Sequence, residues 1–141
     1  MIRKVKKVKK SKKDKKIKEF YSKFRNIVFR NIKKDNFALA VSGGSDSLCM
    51  AYFSKTYASE FKNKIHILIV NHNLRKESQK EAAKVKKILK KKGIRSKILE
   101  WKGEVPYKNI QKNARNIRYS LISDYCFNKN IKYILIAHHM D

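Results

Sequence analysis

Apolar residues fall along this chain in two registers: short unbroken runs, and longer stretches spaced every three or four positions. The runs are Phe37-Ala38-Leu39-Ala40-Val41, Ile65-His66-Ile67-Leu68-Ile69-Val70, a stretch near Ser96 to Leu99, and Tyr133-Ile134-Leu135-Ile136-Ala137. Runs of this length with polar residues on both sides predict buried strands. The spaced stretches predict amphipathic helices. Phe20, Phe24, Ile27, Val28 and Ile32 form one from Ile17 onward, and Leu48 to about Lys62 form a second. Ala82, Val85, Ile88 and Leu89 mark a third from Glu81 to Lys92, with Gly93 as its C′ residue. Ile110, Ala114, Ile117, Leu121 and Tyr125 mark a fourth from Asn109 to about Asn128, after a loop broken by Pro106. Strand and helix alternate four times, which predicts an α/β fold: a parallel sheet built by right-handed crossovers, with helices on both faces.

In such sheets ligands bind beyond the carboxyl ends of the strands, near the switch in strand order. Polar segments stand at three of these ends: Ser42-Gly43-Gly44-Ser45-Asp46-Ser47, Asn71-His72-Asn73-Leu74-Arg75, and His138-His139-Met140-Asp141. The first is a tight Gly-Gly turn between a strand and a helix start, which suits an anion. Glycines let the backbone approach a phosphate, and first-turn N–H groups point at it. Ser42, Ser45 and Ser47 add small hydroxyls. Asp46 would repel a phosphate unless Mg²⁺ bridges the two. An ordinary Ser/Gly turn with Asp46 as a helix-start residue is the alternative. The segment lacks the Gly-Lys-Ser/Thr ending of the Walker loop and is not a GxGxxG turn.

Charge adds a partner. The 141 residues hold 37 Lys+Arg against 11 Asp+Glu, a net charge of +26, which favours a polyanion such as nucleic acid. Many of these cations stand in residues 1–18, where Val5, Val8 and Ile17 are too sparse for a core. Residues 1–18 read as a basic, disordered or loosely helical arm that touches RNA backbone or is simply solvated. Residues 19–141 read as one domain. Cys49 and Cys126 lie far apart in apolar helical contexts, outside any CxxC pair, and read as packing residues. No stretch approaches the roughly 18 apolar residues that cross a bilayer. With no apolar signal-peptide core either, a cytoplasmic chain without membrane contact is expected.

The loop Ser42–Ser47 resembles the SGGxDS loop of ATP pyrophosphatases, the PP-loop enzymes that split ATP between its α- and β-phosphates. Three further segments are similar to motifs of one branch, the tRNA(Ile)-lysidine synthases. Val70 to Arg75 resembles its "vNHxLR" strand end, Asn109 to Tyr119 its "N-x-ARxxRY" helix, and His138 to Asp141 the start of its "HHxDD…ET" motif. The resemblance implies a Rossmann-type PP-loop domain and an ATP- and Mg²⁺-dependent ligase. This ligase joins L-lysine to C2 of the wobble cytidine of a CAU-anticodon isoleucine tRNA. It implies that Ser42, Gly43, Gly44, Ser45, Asp46 and Ser47 hold phosphates and that Asp46 and Asp141 ligate Mg²⁺. It also implies that His72 and Asn73 shape the nucleotide pocket, that Arg115 and Arg118 stabilise phosphate charge or grip RNA backbone, and that His138 contacts the reacting nucleotide or phosphates. Tyr119 serves the core or the site equally well. The family's last motif continues with a second Asp and a Glu, and its fold with a fifth strand, so the resemblance implies the front part of a longer enzyme. Other PP-loop enzymes (tRNA thiolases, amide-forming synthetases) and a basic RNA-binding module without turnover remain the alternatives.

Overall fold

The computed structural model describes residues 12–104 and 107–137. Its elements follow the alternation in the sequence: α1 (Lys12–Asn31), β1 (Phe37–Val41), α2 (Ser45–Phe61), β2 (Ile65–Asn71), α3 (Ser78–Lys91), β3 (Lys97–Glu100), α4 (Ile110–Asn128) and β4 (Tyr133–Ile136). The four strands form one parallel sheet in the order β3-β2-β1-β4. The chain therefore steps outward from β1 to β3 and then returns across the sheet to place β4 on the other side of β1. That reversal puts the switch in strand order between β1 and β4, at the carboxyl end of the strand feeding the Gly-Gly turn.

Alternation of side chains divides the strands between two faces. Leu39 and Val41 of β1 join Ile67 and Ile69 of β2 against Ala51 of α2 and Ala82, Val85 and Leu89 of α3. Ala38 and Leu68 point the other way, onto Ile122 and Cys126 of α4. Val28 of α1 and Ile32 just after it pack with Phe37 and Tyr57 beside Tyr133 and Leu135, so α1 lies next to α2 over β1 and β4. Helices thus cover both faces, with α4, among the described residues, on the second.

Helix ends depart from the apolar periodicity in informative ways. α3 begins at Ser78, three residues before Glu81, with Glu77 as its N-cap, and this polar start carries no apolar signal. Gly93 does end α3: its φ is +73°, its N–H donates to Lys90 O, and the Ile94 N–H donates to Leu89 O, a left-handed Schellman stop. α1 is described from Lys12, so residues 12–18 of the lysine-rich lead are helical, while residues 1–11 lie outside the described residues. Cys126 is buried as a packing residue, whereas Cys49 is only half-buried. No helix among the described residues is long and apolar enough to cross a membrane.

Candidate active site

The turn after β1 is held by one hydroxyl. Ser47, on the first turn of α2 and 3% exposed, accepts from the Ser42 N–H at 3.3 Å and the Gly43 N–H at 3.2 Å, and donates to Gly44 O at 2.9 Å. Ser42 Oγ lies 3.3 Å from the same hydroxyl and accepts from the Gly44 N–H at 3.4 Å. Gly43 has φ +95°, and a Cβ there would stand 2.7 Å from Val85 Cγ2 on α3. Only glycine satisfies both the left-handed backbone and the close approach of loop to helix. Gly44 is the N-cap of α2 and brings no side chain to it, so no capping group competes for the first-turn N–H donors. The loop therefore ends on a helix N-terminus with its positive dipole end exposed at the sheet edge. Asp46 is exposed on that first turn.

The end of β2 is equally constrained. Asn71, 2% exposed, accepts the Asn73 N–H on Oδ1 at 3.1 Å, and Asn73 takes a left-handed φ of +54°. Asn73 Nδ2 then donates to Trp101 O at 2.7 Å, and the Trp101 N–H to Asn71 O at 2.9 Å, tying the end of β3 to this turn. His72 Nδ1 accepts the Leu74 N–H at 3.2 Å and sits 3.4 Å from Ser78 Oγ. Burial lowers the His72 pKa, and the Arg75 and Arg118 cations push in the same direction. The imidazole is thus held neutral, with Nδ1 as acceptor and the proton on Nε2. Arg75 pairs with Glu81 at 3.0 Å on the exposed rim.

These segments enclose a cavity of about 270 Å³. Its walls include Ser42 and Ser47 from the loop, His72 and Arg75 from the end of β2, Ser78, Glu81 and Val85 from α3, Arg118 and Tyr119 from α4, and Ile136 and Ala137 at the end of β4. Mixed apolar walls with a few convergent polar groups are the composition of a small-ligand site, and this volume sits near the lower bound of roughly 300 Å³ for such sites. The structure brings together Ser42, Ser47 and His72 of the residues singled out in the sequence, with Arg118 and Tyr119. Gly43, Gly44, Ser45 and Asp46 form the adjoining loop and first turn. Asn73 is spent on Trp101 and Arg115 lies over the Tyr119 ring at 5.5 Å; neither lines the cavity. His138 and Asp141 lie outside the described residues. Ser78 and Glu81 were missed by site reasoning.

Burial pushes the Cys126 thiol up, and burial with the Asp46 carboxylate does the same at Cys49. The two thiols sit on helices covering opposite faces.

A family profile described as a PP-loop domain matches residues 9–141. A tRNA(Ile)-lysidine synthase of Wolbachia pipientis wMel is 43% identical over 121 residues, covering 84% of this chain and 28% of that protein. The tRNA(Ile)-lysidine synthase of the Wolbachia of Brugia malayi is 41% identical over 106 residues (74% and 25% covered), and that of Rickettsia rickettsii strain Sheila Smith 31% over 124 residues (86% and 26%). The chain spans only about a quarter of the length of these relatives. Among solved structures, the U34-tRNA thiolase NcsA of Methanococcus maripaludis with its 4Fe–4S cluster superposes with a TM-score of 0.75 at 24% identity, covering 87% of this chain and 46% of that one. That likeness speaks to the fold.

Proposed function

The chain belongs to the PP-loop domain family, and on that premise we propose that it carries the ATP-binding domain of a tRNA(Ile)-lysidine synthase. In this reading ATP adenylates the C2 oxygen of the wobble cytidine in a CAU-anticodon isoleucine tRNA, releasing pyrophosphate. L-lysine then attacks C2, the C–O bond breaks and AMP leaves. A pyrimidine carbonyl is a poor electrophile until its oxygen belongs to a good leaving group, and adenylation supplies one.

The residues of this chain bind and orient in that scheme. The Gly43-Gly44 turn and the N-terminus of α2 receive phosphate on backbone donors. Ser47 fixes the loop geometry rather than reaching outward. The Nε2–H of neutral His72 offers a donor to a ligand acceptor, and Arg118 offers a cation to phosphate or RNA backbone. Mg²⁺ fits the donor set: a cation that takes one or two carboxylates and completes its shell with phosphate and water needs little more than exposed Asp46, with Asp141 as a second ligand. It would neutralise phosphate charge there. His138 would contact the reacting nucleotide.

The observation that carries the reading is the meeting of three motif segments in one cavity: His72 from Val70–Arg75, Arg118 from Asn109–Tyr119, and the hydroxyls of Ser42–Ser47. A thiolation reading would ask for a nucleophilic thiolate, whereas both described thiols are held toward the neutral form. The test is AMP and pyrophosphate release with ATP, Mg²⁺ and the CAU tRNA, comparing lysine with glutamine and ammonia as nitrogen donors. Release that completes only with lysine and disappears in Asp46→Ala supports the reading. Completion only with ammonia or glutamine sinks it.

A further inference from the structure

Helix α1 is longer than its packing on the sheet requires, and its direction is fixed by contacts with α2. Tyr21 and Phe24 both meet the Phe53 ring, at 5.4 and 5.5 Å, and Phe29 meets Phe61 at 5.4 Å. Between Tyr21 and Phe29, and between Phe53 and Phe61, the two helices advance by equal numbers of residues, so they run parallel and in step. Arg25 reinforces the seam, donating to Glu60 at 2.6 Å and lying over the Phe61 ring at 5.1 Å.

From the level of Phe53, α2 reaches its N-terminus at Ser45 after about 12 Å, and from Tyr21 α1 reaches Lys12 after about 13 Å. The first two turns of α1 therefore rise to the height of the Gly-Gly turn. Because α1 lies over β1 and β4, they arrive on the side of the strand-order switch. There α1 presents Lys12, Lys13, Lys15 and Lys16, all exposed. Charges placed beside a cleft act on whatever enters that cleft.

We infer that the lysine-rich start of α1 is a phosphate-backbone docking surface that holds substrate RNA over the β1/β4 crevice. This rests on the RNA-modifying reading above. An anionic membrane is the competing occupant, since Ile17, Phe20 and Ile27 are 44, 49 and 60% exposed on the same helix. RNA is favoured because the helix spends Phe24 and Val28 on the core, and because its cations are delivered to the nucleotide edge.

The test replaces Lys12, Lys13, Lys15 and Lys16 together by Gln. A control replaces Lys86, Lys87, Lys90 and Lys91, exposed on the second half of α3, by Gln. Affinity for a CAU-anticodon tRNA is measured across salt concentrations, with ATP affinity as the check on folding. The α1 variant is expected to bind RNA at least tenfold more weakly and to lose about two to four units of salt slope, near one per phosphate contact. Its ATP affinity should stay unchanged and the control should lose much less. Equal losses in both variants, no loss in the α1 variant, or no RNA binding by the parent chain overturn the inference. So does binding to phosphatidylserine vesicles that the α1 substitutions abolish while RNA affinity is kept. Failure of the lysine reaction with RNA binding intact would sink the catalytic reading and leave this surface standing.

Discussion

Gly43 carries two constraints, and each has its own energy. A β-carbon there costs about 1–2 kcal/mol for the left-handed backbone and about 1–3 kcal/mol for crowding Val85. Gly43→Ala is therefore expected to lower the urea midpoint and weaken ATP binding. The Gly43→Ala/Val85→Ala pair should be destabilised by less than the sum of the two single changes, because the crowding goes while the backbone strain stays. Additive effects would show that the loop does not press on α3. His72 gives a pH signature. Its folded pKa lies below the ordinary value, so the unfolded chain takes up the proton first. Its effect on stability is level above about pH 6.5, and stability falls as the pH drops from there through the depressed value. His66, lowered chiefly by burial and bonded to Tyr125 OH at 3.0 Å, adds in the same direction. His72→Gln should flatten part of the acid slope in denaturation midpoints measured between pH 7.5 and 5, with the His66 share remaining. At this scale the loop was legible because Gly, Ser and Asp are chosen for backbone reasons that composition exposes. The division of labour was not. Ser47 reads as a phosphate ligand but is turned inward. Arg115 and Arg118, three apart, look alike until packing places one on Tyr119 and the other in the cavity.

Among the elements, the strands were the most readable. β1 runs Phe37–Val41, as its unbroken apolar run predicts, and the other three strands differ by a residue or so at their ends. Buried parallel strands must be apolar throughout, so sequence marks them sharply. Helix starts are polar and were less visible: α3 opens at Ser78, among charged residues and ahead of its apolar periodicity. Strand order was also hidden, since the return of β4 to β1 depends on long-range packing rather than on any local pattern. The seam that orients α1 offers a graded test. Tyr57 is fully buried and donates to Lys33 O at 2.9 Å, closing the turn between α1 and β1. Tyr57→Phe should cost about 0.5–1.5 kcal/mol for one lost hydrogen bond, because Asn63 Nδ2 still donates to the same carbonyl at 2.9 Å. Arg25→Ala, at an exposed ion pair, should cost less than this in the same chemical denaturation. A larger loss from Arg25 than from Tyr57 would mean that the seam is held by charge rather than by burial.

For the molecule as a whole, two features act together: a sheet whose switch point gathers loop, His72 and Arg118 around one cavity, and a net charge of +26. The charge alone calls for a polyanion without saying where it lies. The fold supplies a place, because α1 delivers its lysines to the edge where the cavity opens. Long-range steering of this kind weakens as salt rises, so RNA association should slow markedly between 50 and 200 mM salt while ATP binding changes far less. Stopped-flow association rates would show this, and equal salt dependence for both ligands would argue against it. The most direct test of the central claim is the mass of the wobble nucleoside after reaction of the CAU tRNA with ATP, Mg²⁺ and isotopically labelled lysine. The expected product is cytidine gaining lysine less water, with the label retained and AMP released in equal amount. Replacement of an oxygen by sulfur, or an unmodified cytidine despite ATP cleavage, would contradict it.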